Sequence, residues 1–135
     1  MKRAAALFLI IILISLLCGC KAETTKNEKI KELKFTVVEN VDVPEELAKV
    51  IDSKKQQPFK LSFSSEGYLY IVEGYGEQNT GGYSIQVNEL YESSNAIYID
   101  TSLVGPEKDK VVTQAKTYPY VVVKTEFIDK NIVFK

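Results

Sequence analysis

Histidine is missing from all 135 residues, and the only cysteines are Cys18 and Cys20. Without histidine, Ser-His-Asp and Cys-His catalysis are excluded and the commonest metal ligand is gone. Charge of one sign is lacking too. Lysine and arginine number 17 against 18 aspartate and glutamate, spread without blocks, and the net charge is −1. That excludes a nucleic-acid-binding face and a polybasic membrane patch. The apolar run Ala4 to Leu17 is shorter than the about 20 residues a membrane-spanning helix needs. The catalysis left open is that of carboxylate pairs, Ser-Lys dyads and tyrosine. Among acids such as Glu73, Glu77, Glu89 and Asp100, no spacing singles out a pair. No catalytic residue, metal site or cofactor is therefore expected.

What is present begins at the N-terminus. Lys2 and Arg3 precede the apolar run, which ends in Leu17-Cys18-Gly19-Cys20. A positive n-region, a short apolar h-region and small residues before a cysteine are the layout of a bacterial lipoprotein signal. Residues 1–19 are read as the signal peptide and Cys20 as the lipidated residue, cleavage falling in front of it. Two or more acyl chains on Cys20 give stable anchoring where one is marginal. The expected location is extracytoplasmic, with the cell membrane as one partner through the lipid. Cys18 leaves with the signal, so the exported part holds no disulfide and no free thiol, and its stability rests on packing.

The segment 20–34 is polar and reads as the lipidated cysteine and its tether. Its contour is about 45–50 Å when extended and roughly 20 Å as a relaxed coil. Ile30 and Leu33 leave a helical turn or a lead into the first strand open for its second half. Residues 35–135 are expected to form a single β-rich domain with one core.

Phe35 to Glu39 is β-branched and aromatic and predicts a short strand. A helix is expected next, with Pro44 at its first position, Glu45 and Glu46 at its positive end, and Leu47, Val50 and Ile51 on one face. Gln56-Gln57-Pro58 ends it near Lys54 or Lys55. After Pro58 the apolar period becomes two. Phe59, Leu61 and Phe63 make one strand, Ser64 to Gly67 a turn, and Tyr68 to Glu73 its hairpin partner. Tyr83, Ile85 and Val87, a turn at Glu92 to Asn95, and Ala96 to Thr101 make a second hairpin. Tyr120 to Glu126 is a valine-rich strand, Asp129 to Asn131 turns the chain, and Ile132 to Phe134 closes it. The pattern predicts a mainly β fold, an antiparallel β-sandwich or open barrel with one N-terminal amphipathic helix.

Two stretches break this rhythm. Gly74 to Tyr83 is too long for a minimal hairpin turn; its glycines permit close backbone approach, and Tyr75 and Tyr83 offer amphipathic contact surface. A phosphate loop is excluded, because no helix pattern and no suitably placed lysine follow Gly82. Leu103 to Pro119 lacks periodicity and is long for a connection in so small a domain. Gly105 to Lys110 is its expected tip, Val111 to Lys116 an expected strand or edge segment, and a cis peptide before Pro119 is left open.

The order Thr80-Gly81-Gly82-Tyr83-Ser84-Ile85, a hairpin, then Gln114-Ala115-Lys116-Thr117-Tyr118-Pro119-Tyr120-Val121-Val122-Val123 resembles the C-terminal domain of PrcB-type protease-complex subunits, over roughly Gly74 to Phe134. The resemblance implies an exported, often lipid-anchored, non-catalytic subunit that assembles with or stabilises a surface protease. The candidate binding residues are Tyr75, Asn79, Thr80, Gly81, Gly82 and Tyr83 in the first loop and Gln114, Thr117, Tyr118 and Pro119 in the second. Two other readings stay open. One is a chagasin-like protease inhibitor acting through Asn79 to Tyr83; the other is an envelope-ligand protein with a groove lined by Tyr75, Tyr83 and Tyr118.

Overall fold

The computed structural model describes residues 29–135. The signal sequence, Cys20 and the tether as far as residue 28 lie outside the described residues. Among the described residues no helix is long and apolar enough to cross a membrane.

In chain order the elements are β1 (Lys29–Glu32), β2 (Thr36–Val37), α1 (Glu45–Lys54), β3 (Pro58–Ser65), β4 (Tyr68–Tyr75), β5 (Ser84–Ser93), β6 (Ala96–Val104), β7 (Tyr120–Glu126) and β8 (Asn131–Phe134). They build two four-stranded sheets, ordered β1-β5-β6-β8 and β2-β7-β4-β3. The expected mainly β sandwich with one helix is what forms.

Alternation decides which side chains meet. On the face of the second sheet turned to the first, Leu69, Ile71, Val121 and Val123 pack with Leu90, Ile97 and Ile99 from β5 and β6. On its other face, Tyr70, Val72 and Val122 pack under Leu47 and Ile51 of α1. Both faces are covered, which is why β4 is buried continuously from Leu69 to Gly74. Each fully buried Ile or Val side chain stabilises the fold by about 1.5–3 kcal/mol.

Four local results differ from the sequence expectation, each for a physical reason. Pro44 precedes α1 as its cap and accepts from Ala48 N at 2.9 Å, instead of being the first helical residue. Val50, expected on the packed stripe, is 39% exposed, because Leu47 and Ile51 alone face the sheet. Lys29 to Glu32, placed with the tether, pair with β5 as a charged edge strand, and Leu33 donates to Leu90 O at 3.0 Å and is buried. Val111 to Lys116 forms no strand, and the described residues contain no cis peptide bond.

Two further features set the register and the connectivity. A bulge between Val87 and Glu89 inserts Asn88, so that Ile85, Val87 and then Leu90 all reach the interior. β8 does not return along β7. It crosses to the other sheet and pairs parallel with β6, Ile97 opposite Ile132. Lys130 pins the crossing, donating to Glu92 Oε1 at 2.7 Å and Ser93 O at 2.8 Å.

The sandwich has two unlike ends. At one lie the short turns: Glu66 and Gly67, with φ of 53° and 82°, join β3 to β4, and Ser94-Asn95 join β5 to β6. At the other lie the β4–β5 and β6–β7 connections, which carry the candidate residues.

Candidate functional site

The two candidate loops, far apart in sequence, are hydrogen-bonded to each other. Gln78 N donates to Thr117 O at 2.8 Å and Thr117 N returns a bond to Gln78 O at 3.0 Å, a one-rung antiparallel bridge. Gly81 N donates to Thr113 O at 2.8 Å, and Thr117 Oγ1 to Thr80 O at 2.7 Å. Pro119 O accepts from Tyr75 N at 3.0 Å, so the bonding begins where β4 ends. Side chains add to the bonding at its rim, where Lys116 Nζ lies 3.3 Å from Glu77 Oε2 and Tyr118 OH is 3.4 Å from Glu77 Oε1. That exposed ion pair contributes at most about 1 kcal/mol; the backbone bonds carry the alignment.

Gly82 lets the loops close. Its φ is +85°, and a Cβ there would stand 2.6 Å from Val112 Cγ1 and 2.9 Å from Pro106 Cβ. Only glycine meets both demands, since a left-handed conformation costs another residue about 1–2 kcal/mol before any clash. Val112 is held in this contact, whereas its neighbour Val111 is 97% exposed.

The surface that results is presented by Asn79, which is exposed, Thr80, Gly81, Val111, Thr113 and Gln114. Gln114 Nε2 donates to Val112 O at 3.3 Å. The tyrosines meet three different neighbours. Tyr75 OH bonds Thr101 Oγ1 at 2.5 Å inside the sandwich, the Tyr83 ring lies against Gly105, and Tyr118 reaches Glu77. The three contacts are separate from one another.

Behind the loops is a polar link that sequence reasoning did not single out. Thr101 of β6 donates to Glu73 Oε2 of β4 at 2.7 Å and engages Tyr75, joining the two sheets where the loops depart. Glu73 is only 7% exposed and borders a cleft of about 370 Å3 with Lys60 and Tyr75. Burial raises the Tyr75 phenol above its ordinary value; the Thr101 bond opposes this, and the charges of Glu73 and Asp100 add to it. The signal for this link was weak, because Glu73 looked like one more acid on an alternating strand. Among the described residues no three His, Cys, Asp or Glu side chains are placed to hold a metal ion.

Residues 69–126 match a family model described as PrcB C-terminal. The match starts in β4 and ends with β7, so it covers both loops, the hairpin between them and the Glu73–Thr101 link, and leaves out α1 and β8. No curated protein and no solved structure matches the chain.

Proposed function

We propose, for a chain whose residues 69–126 belong to the PrcB C-terminal family, that it is a membrane-anchored, non-catalytic lipoprotein whose paired loops bind a protein partner, assembling with or stabilising an extracytoplasmic protease. The observation that carries this reading is the joining of the two motif segments into one surface by backbone hydrogen bonds. A pre-bonded surface keeps its shape in the free protein, so binding loses little loop entropy. Val111 supplies an exposed apolar contact, with Asn79 and Gln114 as polar neighbours.

The anchor is supplied by the Leu17-Cys18-Gly19-Cys20 sequence. Lipid on Cys20 confines the domain to the membrane surface, where effective concentration favours a membrane-associated partner. Nucleic acid is not a partner in this reading, since basic and acidic residues are balanced.

Native purification of the full-length lipoprotein from membranes, after mild crosslinking, tests the assignment. A discrete complex containing a protease is expected. Monomer alone, under conditions that preserve other envelope complexes, contradicts it.

A further inference from the structure

Four exposed large apolar side chains, three of them aromatic, lie at the end of the sandwich opposite the paired loops. Phe127 follows β7 and is 49% exposed, its N–H donating to Gly67 O in the β3–β4 turn at 3.0 Å. Tyr68, 42% exposed, opposes Glu126 at the same end and stacks under Lys124, whose ammonium stands 4.0 Å from the ring centroid. Phe35, 40% exposed, shares with Tyr68 a cleft of about 770 Å3. Ile30, 60% exposed, lies on β1 between residues that pair with Ser93 and Glu92 beside the β5–β6 turn.

The chain also enters the domain here. Lys29 opposes Ser93 at the turn end of β5, and β1 then runs toward the loops. Strands of eight to ten residues, at roughly 3.3 Å per residue, put about 25–30 Å between the two ends. Cys20 precedes Lys29 by nine residues, a span of about 30 Å at full extension and roughly 17 Å as a relaxed coil.

We infer that the Phe127 end is the membrane-facing surface of the domain, seating Ile30, Phe35, Tyr68 and Phe127 at the lipid headgroup level and directing the paired loops away from the membrane. This rests on the lipid-anchor reading of Cys20. A short tether attached at that end holds these residues near the interface, and aromatic side chains flanked by lysine stems partition there. Around them basic Lys29, Lys31, Lys34, Lys124 and Lys130 are matched by acidic Glu32, Glu66, Glu92, Glu126 and Asp129. The seating is therefore apolar and insensitive to salt, unlike that of a polybasic patch. The arrangement leaves the loop surface about 25–30 Å out from the headgroups, free to meet a partner.

The test uses the full-length lipoprotein in vesicles of phosphatidylethanolamine and phosphatidylglycerol that carry a lipid-borne fluorescence quencher. A thiol-reactive fluorophore is placed at Phe127→Cys, or at Val111→Cys on the opposite end. Quenching at position 127 several-fold stronger than at 111, unchanged between low and high salt, is expected. Equal quenching at both positions, or stronger quenching at 111, overturns the placement. Shielding of position 127 from an aqueous quencher without lipid quenching means that a second copy or a peptide strand covers the patch, and overturns it too. The mass of the N-terminal peptide from the same sample separates the failures. A lipidated Cys20 without quenching at 127 refutes the placement alone, and an unmodified Cys20 refutes the anchor and the placement together.

Discussion

The two ends of the sandwich cap the same strands in opposite ways. At the turn end, β3 passes to β4 through Glu66-Gly67, a two-residue turn with both φ angles positive whose twist suits the strands it joins. Ser93 Oγ accepts from Asn95 N at 3.3 Å and Ala96 N at 3.1 Å, closing the β5–β6 turn with a buried hydroxyl. The turns there are short, and the surface they leave exposes Tyr68 and Phe127 among charges of both signs. At the loop end two long connections are held by bonds to each other, with little core beneath Val111. The lesson is that shape at the turn end is dictated locally, whereas shape at the loop end depends on pairing between distant segments. The loop end should accordingly open before the strands do.

The largest effect should come from the core that both ends share. Ile97→Ala removes a fully buried side chain between the sheets and should cost about 2–5 kcal/mol. Denaturant unfolding followed at both ends should shift together; separate shifts would break the idea of one common core.

Glycine substitutions sharpen the contrast. Gly82→Ala meets Val112 and Pro106 and should cost about 2–3 kcal/mol, mainly at the loop end, with faster hydrogen exchange at the Gly81 and Thr117 amides. Gly67→Ala has a similar φ of +82° but nothing within 4 Å of its Cβ, so about 1 kcal/mol of backbone strain is expected. If Gly67→Ala proved the worse of the two, the loops would not be held by close contact.

Thr117→Val deletes the bond from Thr117 Oγ1 to Thr80 O and should cost about 1 kcal/mol. Exchange at Gly81 N–H should rise while the Ser94-Asn95 turn is unmoved.

The smallest effect is on alkaline stability. The Tyr75 phenol is raised in the folded protein, mainly by burial. Above pH 10.0, its ordinary value, the unfolded chain releases this proton while the folded chain retains it, so stability falls as pH rises toward the raised value. In thermal melts Tyr75→Phe should flatten that alkaline fall, although Tyr120, raised chiefly by burial as well, keeps part of it.

What was legible in the sequence follows the same division. Alternation at Phe59, Leu61 and Phe63, and the valines of 121–123, fixed strands because each side chain's burial is a local pattern. β1 was not legible, since Lys29-Ile30-Lys31-Glu32 pairs through its backbone while its side chains all lie outside the core. Nor was the crossing of β8, because a turn at Asp129 to Asn131 serves a hairpin or a change of sheet equally well, and the Lys130 bonds that decide it reach back to Glu92 and Ser93. The candidate loops were visible as irregular, glycine-bearing stretches. Their bonding was not, because Gln78 and Thr117 carry no mark of each other.

The most direct test of the central claim, that the paired loops are the partner-binding end, is site-specific photocrosslinking in the intact lipoprotein on its native membrane. A photoreactive residue at Thr80 should yield one discrete adduct containing a protease, and the same residue at Ser94, in the β5–β6 turn, should yield none. Equal adducts from both positions, or an adduct from Ser94 alone, would contradict the account.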